Sequence, residues 1–204
     1  MPGVDLYWLP LGAGGRSVRL NGRVFEAVAA RLDRRSPCDL YHSALVARVR
    51  EASFVIEMAP VPGPGGAARG VTVEGAVGSR WAGRLRIFRY EVRCWRDGVI
   101  PDLAEAVESP HRLTVDEDLA RHLLELTEQV PAPVWGRDEL GTGEMWNSNS
   151  VTAWLIARSG LLGESIRVPR GGRAPGWQAG LAVAARSGPG VVLPAHVPPE
   201  AHPA

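Results

Sequence analysis

Two apolar runs between Asp39 and Met58 constrain the fold more than any other feature of this sequence. Residues 39–50 read Asp-Leu-Tyr-His-Ser-Ala-Leu-Val-Ala-Arg-Val-Arg, and their apolar side chains occupy both alternating sets of an extended chain. That pattern is typical of a strand that is largely covered on each face. Residues 53–58 continue in the same way after a short polar break. The region therefore predicts a β-hairpin inside a sheet.

The remaining patterns predict an α+β domain with a mainly antiparallel sheet and about three helices. Thr114-Val-Asp-Glu117 has the form of a capping box that opens one of these helices. Arginines alternate with apolar residues on both sides of Phe88, and the phase slips there by one residue, which indicates a β-bulge in a long strand. We expect the arginine side of this strand to be a solvated face, and the alternative is an anion-binding face. In chain order we expect a strand at 5–11, a helix at 21–32, the hairpin, a strand at 79–96, helices at 114–130 and 151–158, and a strand at 180–185.

Composition limits the domain organisation and the function classes. The 204 residues predict a single domain over 1–186, followed by a proline-rich flexible tail over 187–204. No apolar run approaches the ~20 residues of a membrane span, and no secretory signal is evident, so we expect a cytoplasmic protein. With 23 basic and 22 acidic residues there is no overall field for a nucleic acid. We expect Cys38 and Cys94 to be reduced, with no metal site and no cofactor.

One pairing of residues points to chemistry. His42 lies within a predicted strand, and Asn147-Ser148-Asn149-Ser150 stands at the start of a predicted helix. A nucleophile at a helix N-terminus gains from the helix dipole, and free backbone N–H groups there can hold an oxyanion. A histidine on a neighbouring strand can activate such a nucleophile when a third polar group orients its ring. Glu57, across the predicted hairpin, is the candidate for that third group.

Tyr41-His42-Ser43-Ala44 on a strand, followed later by Asn-x-Asn-Ser at a helix start, resembles the circularly permuted papain-like superfamily. That group includes NlpC/P60 peptidases and lecithin retinol acyltransferase-like proteins. The resemblance covers roughly residues 39–158 and implies a permuted papain-like fold, with His42 at the histidine position and Ser148 at the position of the family's cysteine. It implies a hydrolase or acyltransferase acting on an amide or ester, whose acyl group comes from a small molecule, a lipid or a peptide. Tyr41, Trp146, Asn147 and Asn149 would then line the substrate cleft.

Serine in place of cysteine leaves two functional hypotheses open. A serine hydroxyl is a much weaker acid than a thiol, so Ser148 needs a well-oriented base and an oxyanion hole together. Either Ser148, His42 and Glu57 form a serine variant of the site, or the scaffold is catalytically inactive and serves as a binding or interaction domain. Structural roles also account for the same residues: Asn147–Ser150 as a helix cap, His42 as a core histidine, and Glu57 as a side chain facing water.

Overall fold

The computed structural model describes residues 1–11, 31, 34, 36–61, 70–100, 102–163, 166–186 and 188. Nearly all of the predicted helix at 21–32 and of the predicted tail at 187–204 therefore lies outside the described residues. The rest confirms the α+β class and the mainly antiparallel sheet.

The sheet is built from six strands in one continuous path and a short seventh beside it. Across the sheet the order is β4 (Val71–Ala76), β5 (Arg89–Arg96), β3 (Ala52–Pro60), β2 (Asp39–Val49), β1 (Gly3–Pro10) and β6 (His111–Thr114). These neighbours pair antiparallel. The two-residue strand β7 (Gly172–Arg173) pairs in parallel with the start of β2.

The predicted hairpin is present, and its register fixes which side chains share a face. In β2 and β3, Leu45 lies opposite Ile56. Between β1 and β2, Trp8 lies opposite Ser43 and Leu9 lies opposite His42. Successive side chains of a strand point to opposite faces, whereas directly paired residues share a face. Ser43 therefore points to one side of the sheet and His42 to the other.

In the part of the chain that the structure describes, three helices cover one side of the sheet, which we call the helix face. They are α1 (Glu117–Leu126), α2 (Ser148–Arg158) and α3 (Trp177–Arg186). The helices contribute to the same large core as the strand residues of this face. Strand members of this core include Val4, Leu6, Trp8, Tyr41, Leu45, Ile56, Met58, Tyr90 and Val92. Helix α2 is buried from Ser148 to Ile156, so it is the central helix of this layer.

The other side of the sheet, which we call the opposite face, carries a smaller apolar core and two ionic clusters. Its core comprises Tyr7, Leu9, Ala44, Val46, Val55 and Ile100. In the first ionic cluster Asp5, which is almost wholly buried, binds Arg48 and Arg112. In the second, Arg93 binds Glu57 and Glu91.

The predicted strand at 79–96 is wrong in its first half. Residues Ala82–Arg84 and Arg86–Phe88 form two 3₁₀ turns, and β5 begins only at Arg89. Gly83 lies so close to β4 that a Cβ there would come within 2.6 Å of the Ala76 Cβ, and this approach favours glycine at a turn. The expected solvated arginine face is also absent from β5, because Arg93 and Glu91 are buried in an ion pair.

Two other local predictions are wrong. Residues 180–185 lie in helix α3 and not in a strand, since Gly-Leu-Ala-Val-Ala-Ala is rich in alanine, the strongest helix former. The predicted capping box at Thr114–Glu117 does not open helix α1. The helix is capped by Asp116, whose carboxylate accepts hydrogen bonds from the backbone N–H groups of Asp118 and Leu119. Thr114 ends β6 and supports this turn by accepting a hydrogen bond from the Asp116 N–H.

Candidate functional site

The start of helix α2 is a closed capping arrangement. Asn147 Oδ1 accepts hydrogen bonds from the backbone N–H groups of Asn149 at 2.9 Å and Ser150 at 3.3 Å. In return, the Asn147 N–H donates to Ser150 Oγ at 3.1 Å, which completes a capping box. Two of the first backbone N–H groups of the helix are thus already occupied. Neither of these two N–H groups is therefore free to help bind an oxyanion at this helix start.

Asn149 ties helix α2 to strand β2 with its whole side chain. Its Nδ2 donates to the carbonyl oxygens of Tyr41 and Pro175, each at 2.9 Å, and its Oδ1 accepts from Ser43 Oγ at 2.9 Å. The residue is 2% exposed, so these bonds replace the water that the amide loses on burial. The predicted substrate-binding residue Asn149 therefore has a structural role that leaves no amide group free.

The segment before helix α3 is held against the same helix start. Ser150 Oγ donates to the Gly176 carbonyl at 2.8 Å, and Asn147 Nδ2 donates to the Pro175 carbonyl at 2.8 Å. Glu144 Oε2 accepts hydrogen bonds from the backbone N–H groups of Gly176 and Gln178. The polar motif thus joins two helices and a strand.

Ser148 is the one member of the motif whose side chain is not occupied in this way. It is the first residue of α2 and is 8% exposed. Among the residues that the structure describes, its Oγ has no hydrogen-bond partner. Its position at a helix N-terminus is the one predicted for a nucleophile.

His42 is not beside Ser148. Asn149 and Ser43 mark the side of β2 that α2 covers, and His42 points to the opposite face together with its partner Leu9. Burial lowers the pKa of His42 to about 4. The nearby Asp102 carboxylate acts in the other direction, but its effect on the pKa is the smaller of the two. The imidazole is therefore neutral at pH 7. It could accept a proton from a hydroxyl on its own face, but the sheet separates it from the start of α2.

Glu57 lies on the same face of the sheet as His42, and its strand β3 is paired with β2, as predicted. Its carboxylate is bound elsewhere, however, because Arg93 Nη1 donates to Glu57 Oε1 at 3.0 Å. In β2, the residues paired with β3 run from Leu45 to Val49 and do not include His42. The expected orientation of the His42 ring by Glu57 is thus not what the structure shows.

Tyr41 and Trp146 are core residues in this structure. Tyr41 packs on the backbone of β7, where a Cβ on Gly172 would come within 2.2 Å of its ring. Trp146 is 2% exposed, and its carbonyl accepts a hydrogen bond from the Gly136 N–H. Neither presents a side chain to solvent as a cleft-lining residue would.

An open cleft lies elsewhere, beside strand β4. It has a volume of about 360 Å³, and its charged lining residues are Glu74, Arg80 and Arg89. Arg80 forms a two-pronged contact with Glu139 at 2.8 and 3.0 Å, and Arg89 Nη1 lies 3.5 Å from Glu74 Oε2. The cleft therefore has polar walls whose charges are largely matched internally.

The sequence analysis did not identify Ser43, whose hydroxyl donates a hydrogen bond to Asn149 on the side of β2 that packs on α2. The signal was present, because Ser43 alternates with His42 and the two cannot face the same helix.

Among the described residues, no cluster of three or more His, Cys, Asp or Glu side chains is placed to hold a metal ion. Within the same ranges, no helix combines the length and apolar character needed to cross a bilayer.

Comparison of this chain with models of known protein families, with curated proteins and with solved structures finds no match.

Proposed function

We propose that this protein is a catalytically inactive scaffold, of the permuted papain-like type that its motifs resemble, and that it serves as a binding or interaction domain. The observation that carries the proposal is the position of His42 and Ser148 on opposite sides of the sheet. A serine hydroxyl needs a base within hydrogen-bond reach, or one water away, to become a nucleophile.

The occupied amides at the start of α2 support the same proposal. The Asn147 side chain takes the N–H groups of Asn149 and Ser150, so an oxyanion formed at Ser148 would have to compete with the helix cap. With His42 out of reach and two neighbouring amides occupied, Ser148 lacks the predicted base and part of the oxyanion hole that serine hydrolases combine with it.

Covalent labelling tests the proposal directly. The purified wild-type protein, Ser148→Ala and His42→Ala are each treated with a broad fluorophosphonate, and the labelled site is mapped by peptide mass spectrometry. We expect no modification of Ser148 in the wild type and equal labelling of all three proteins. Labelling of Ser148 that requires His42 would overturn the proposal and favour the hydrolase or acyltransferase hypothesis.

A thiol at the same position gives a second and more sensitive measurement. Ser148→Cys and the double variant Ser148→Cys/His42→Ala are alkylated over a range of pH, with Cys38 as the internal reference. The helix dipole lowers the thiol pKa equally in both proteins, so the two pH profiles should coincide. A lower thiol pKa that disappears with His42→Ala would show that the two side chains meet, and the proposal would fail.

A further inference from the structure

The connection between β4 and β5 presents an unusual concentration of exposed apolar side chains. Trp81 is 74% exposed and Ile87 is 78% exposed, and Leu85 and Phe88 also stand in solvent. These four are among the ten large apolar side chains exposed in the described part of the chain, yet they fall within eight consecutive residues. We refer to residues 81–88 as the Trp81–Phe88 loop.

The backbone of this loop is firmly built, so its exposed side chains are held in place. The Val77 N–H donates to the Phe88 carbonyl at 2.8 Å and closes the base of the loop. Arg89 Nε donates to the Gly83 carbonyl at 2.6 Å, which fixes the first 3₁₀ turn to the start of β5. The apolar exposure is therefore a property of an ordered segment.

Positive charge accompanies the apolar side chains. Arg84 and Arg86 are exposed and alternate with Leu85 and Ile87. The carboxylates of Glu74 and Glu139 are bound to Arg89 and Arg80. Among the described residues neither Arg84 nor Arg86 has an acidic partner, so the loop carries two uncompensated cations.

We propose that the Trp81–Phe88 loop docks on the surface of an anionic lipid bilayer. This inference rests on the proposed binding function and names its partner. Trp81, Leu85, Ile87 and Phe88 would enter the boundary between head groups and acyl chains. Arg84 and Arg86 would bind lipid phosphates, to which a guanidinium can donate two parallel hydrogen bonds.

A bilayer fits this surface better than a second protein does. Side chains that are three-quarters exposed stand out from the protein, and a fluid interface accepts them without a matching pocket. Tryptophan favours the membrane interface because its ring is apolar and its N–H can remain hydrated. The charge pattern is complementary to anionic lipid, and arginine heads can stay at the phosphates while their stems lie along apolar chains.

Vesicle co-sedimentation of the full chain tests the proposal. Vesicles of phosphatidylcholine alone are compared with vesicles that also contain phosphatidylserine, at low and at high salt. We expect the wild type to pellet with the anionic vesicles, less so at high salt, and to stay in solution with the neutral ones. Trp81→Ser/Ile87→Ser should lower the apparent affinity roughly tenfold or more, since both anchors are removed. Arg84→Gln/Arg86→Gln should abolish the preference for anionic lipid.

The matched control is Val115→Ser/Leu162→Ser, which removes two other exposed apolar side chains and should bind like the wild type. Equal binding of the wild type to both vesicle types, or unchanged binding by Trp81→Ser/Ile87→Ser, would overturn the inference. So would self-association without lipid that Trp81→Ser/Ile87→Ser abolishes, because the occupant would then be a second copy of the chain. None of these outcomes alters the labelling of Ser148, so failure here is distinguishable from failure of the inactive-scaffold proposal.

Discussion

Ser43 Oγ donates a hydrogen bond to Asn149 Oδ1 at 2.9 Å, and Ser43 therefore lies on the side of strand β2 that meets helix α2. His42, the preceding residue, consequently points away from the helix. Burial between sheet and helix strengthens the constraint, because Ser43 is 1% exposed and its hydroxyl has lost its access to water.

Replacement of Asn149 by alanine should strongly destabilise the fold. The change removes hydrogen bonds to Tyr41 O, Pro175 O and Ser43 Oγ at a site without access to solvent. We expect a loss of about 3 kcal/mol in the free energy of unfolding, measured by urea denaturation. Ser43→Ala, which removes a single donor, should cost about 1 kcal/mol. An Asn149→Ala protein as stable as the wild type would contradict this account of the motif.

Gly180→Ala should destabilise the protein although alanine is the better helix former. A Cβ at Gly180 would lie 2.2 Å from the Ser150 carbonyl oxygen and 2.9 Å from the Ala153 Cβ, so α3 would have to move away from α2. The expected cost is about 2 kcal/mol in thermal or urea unfolding, because strain outweighs the gain in helix propensity. Ala185→Gly, at an exposed position of the same helix, is the reference and should cost about 1 kcal/mol. A more stable Gly180→Ala protein would show that the two helices are not in close contact.

Arg93→Met should be among the most damaging substitutions on the opposite face. It leaves the carboxylates of Glu57 and Glu91 together in a poorly hydrated site without their cation. We expect a loss of about 4 kcal/mol at neutral pH by urea denaturation. Glu57→Gln keeps the shape and leaves Arg93 bound to Glu91 and to the Pro60 carbonyl, so its cost should be near 1 kcal/mol. Similar losses for the two variants would refute a central role for Arg93.

His42 should make stability depend on pH between about 6.5 and 4. Burial lowers the pKa of His42 to about 4 in the folded protein, so the unfolded chain takes up a proton first as the pH falls from the ordinary value of 6.5. Stability contributed by the neutral imidazole is thus present above pH 6.5 and is lost toward pH 4, at up to about 1.4 kcal/mol per pH unit. An NMR titration of the ring measures the pKa, and unfolding curves at several pH values measure the slope.

The comparison protein for this measurement is His42→Gln, which lacks the titrating ring but retains every carboxylate. Its stability should fall less steeply over the same interval. If the two slopes are equal, or if the ring titrates near pH 6.5, the imidazole is not shielded from water as described.

The hairpin was predictable because its signal is local: two covered strands with a short break have few alternatives. Helix α2 was predictable for the same reason, since Asn147 is a strong cap before an apolar run. The sequence of the Trp81–Phe88 loop was less informative about its structure. Arg84, Leu85, Arg86 and Ile87 alternate as a strand would. The 3₁₀ turns found there are held by tertiary contacts, among them the packing of Gly83 on Ala76 and the hydrogen bond from Arg89 to the Gly83 carbonyl.

The candidate site could be predicted in its parts but not in its assembly. Sequence identified His42 and Ser148 and placed each in the correct type of element. Whether they meet depends on which alternating set of β2 faces the helix, and a shift of one residue reverses that choice. The pairing of Trp8 with Ser43 and the amide of Asn149 determine it, and these contacts join residues far apart in the sequence.

Asp5 has a consequence for how the chain is made. Its carboxylate binds Arg48 and Arg112, and it lies in β1, between β2 and β6. Arg112 follows Asp5 by 107 residues. During translation, the apolar strand β1 therefore cannot pair with its second neighbour, β6, until about a hundred further residues have been synthesised. A chaperone that shields this early segment would be expected to raise the yield of native protein.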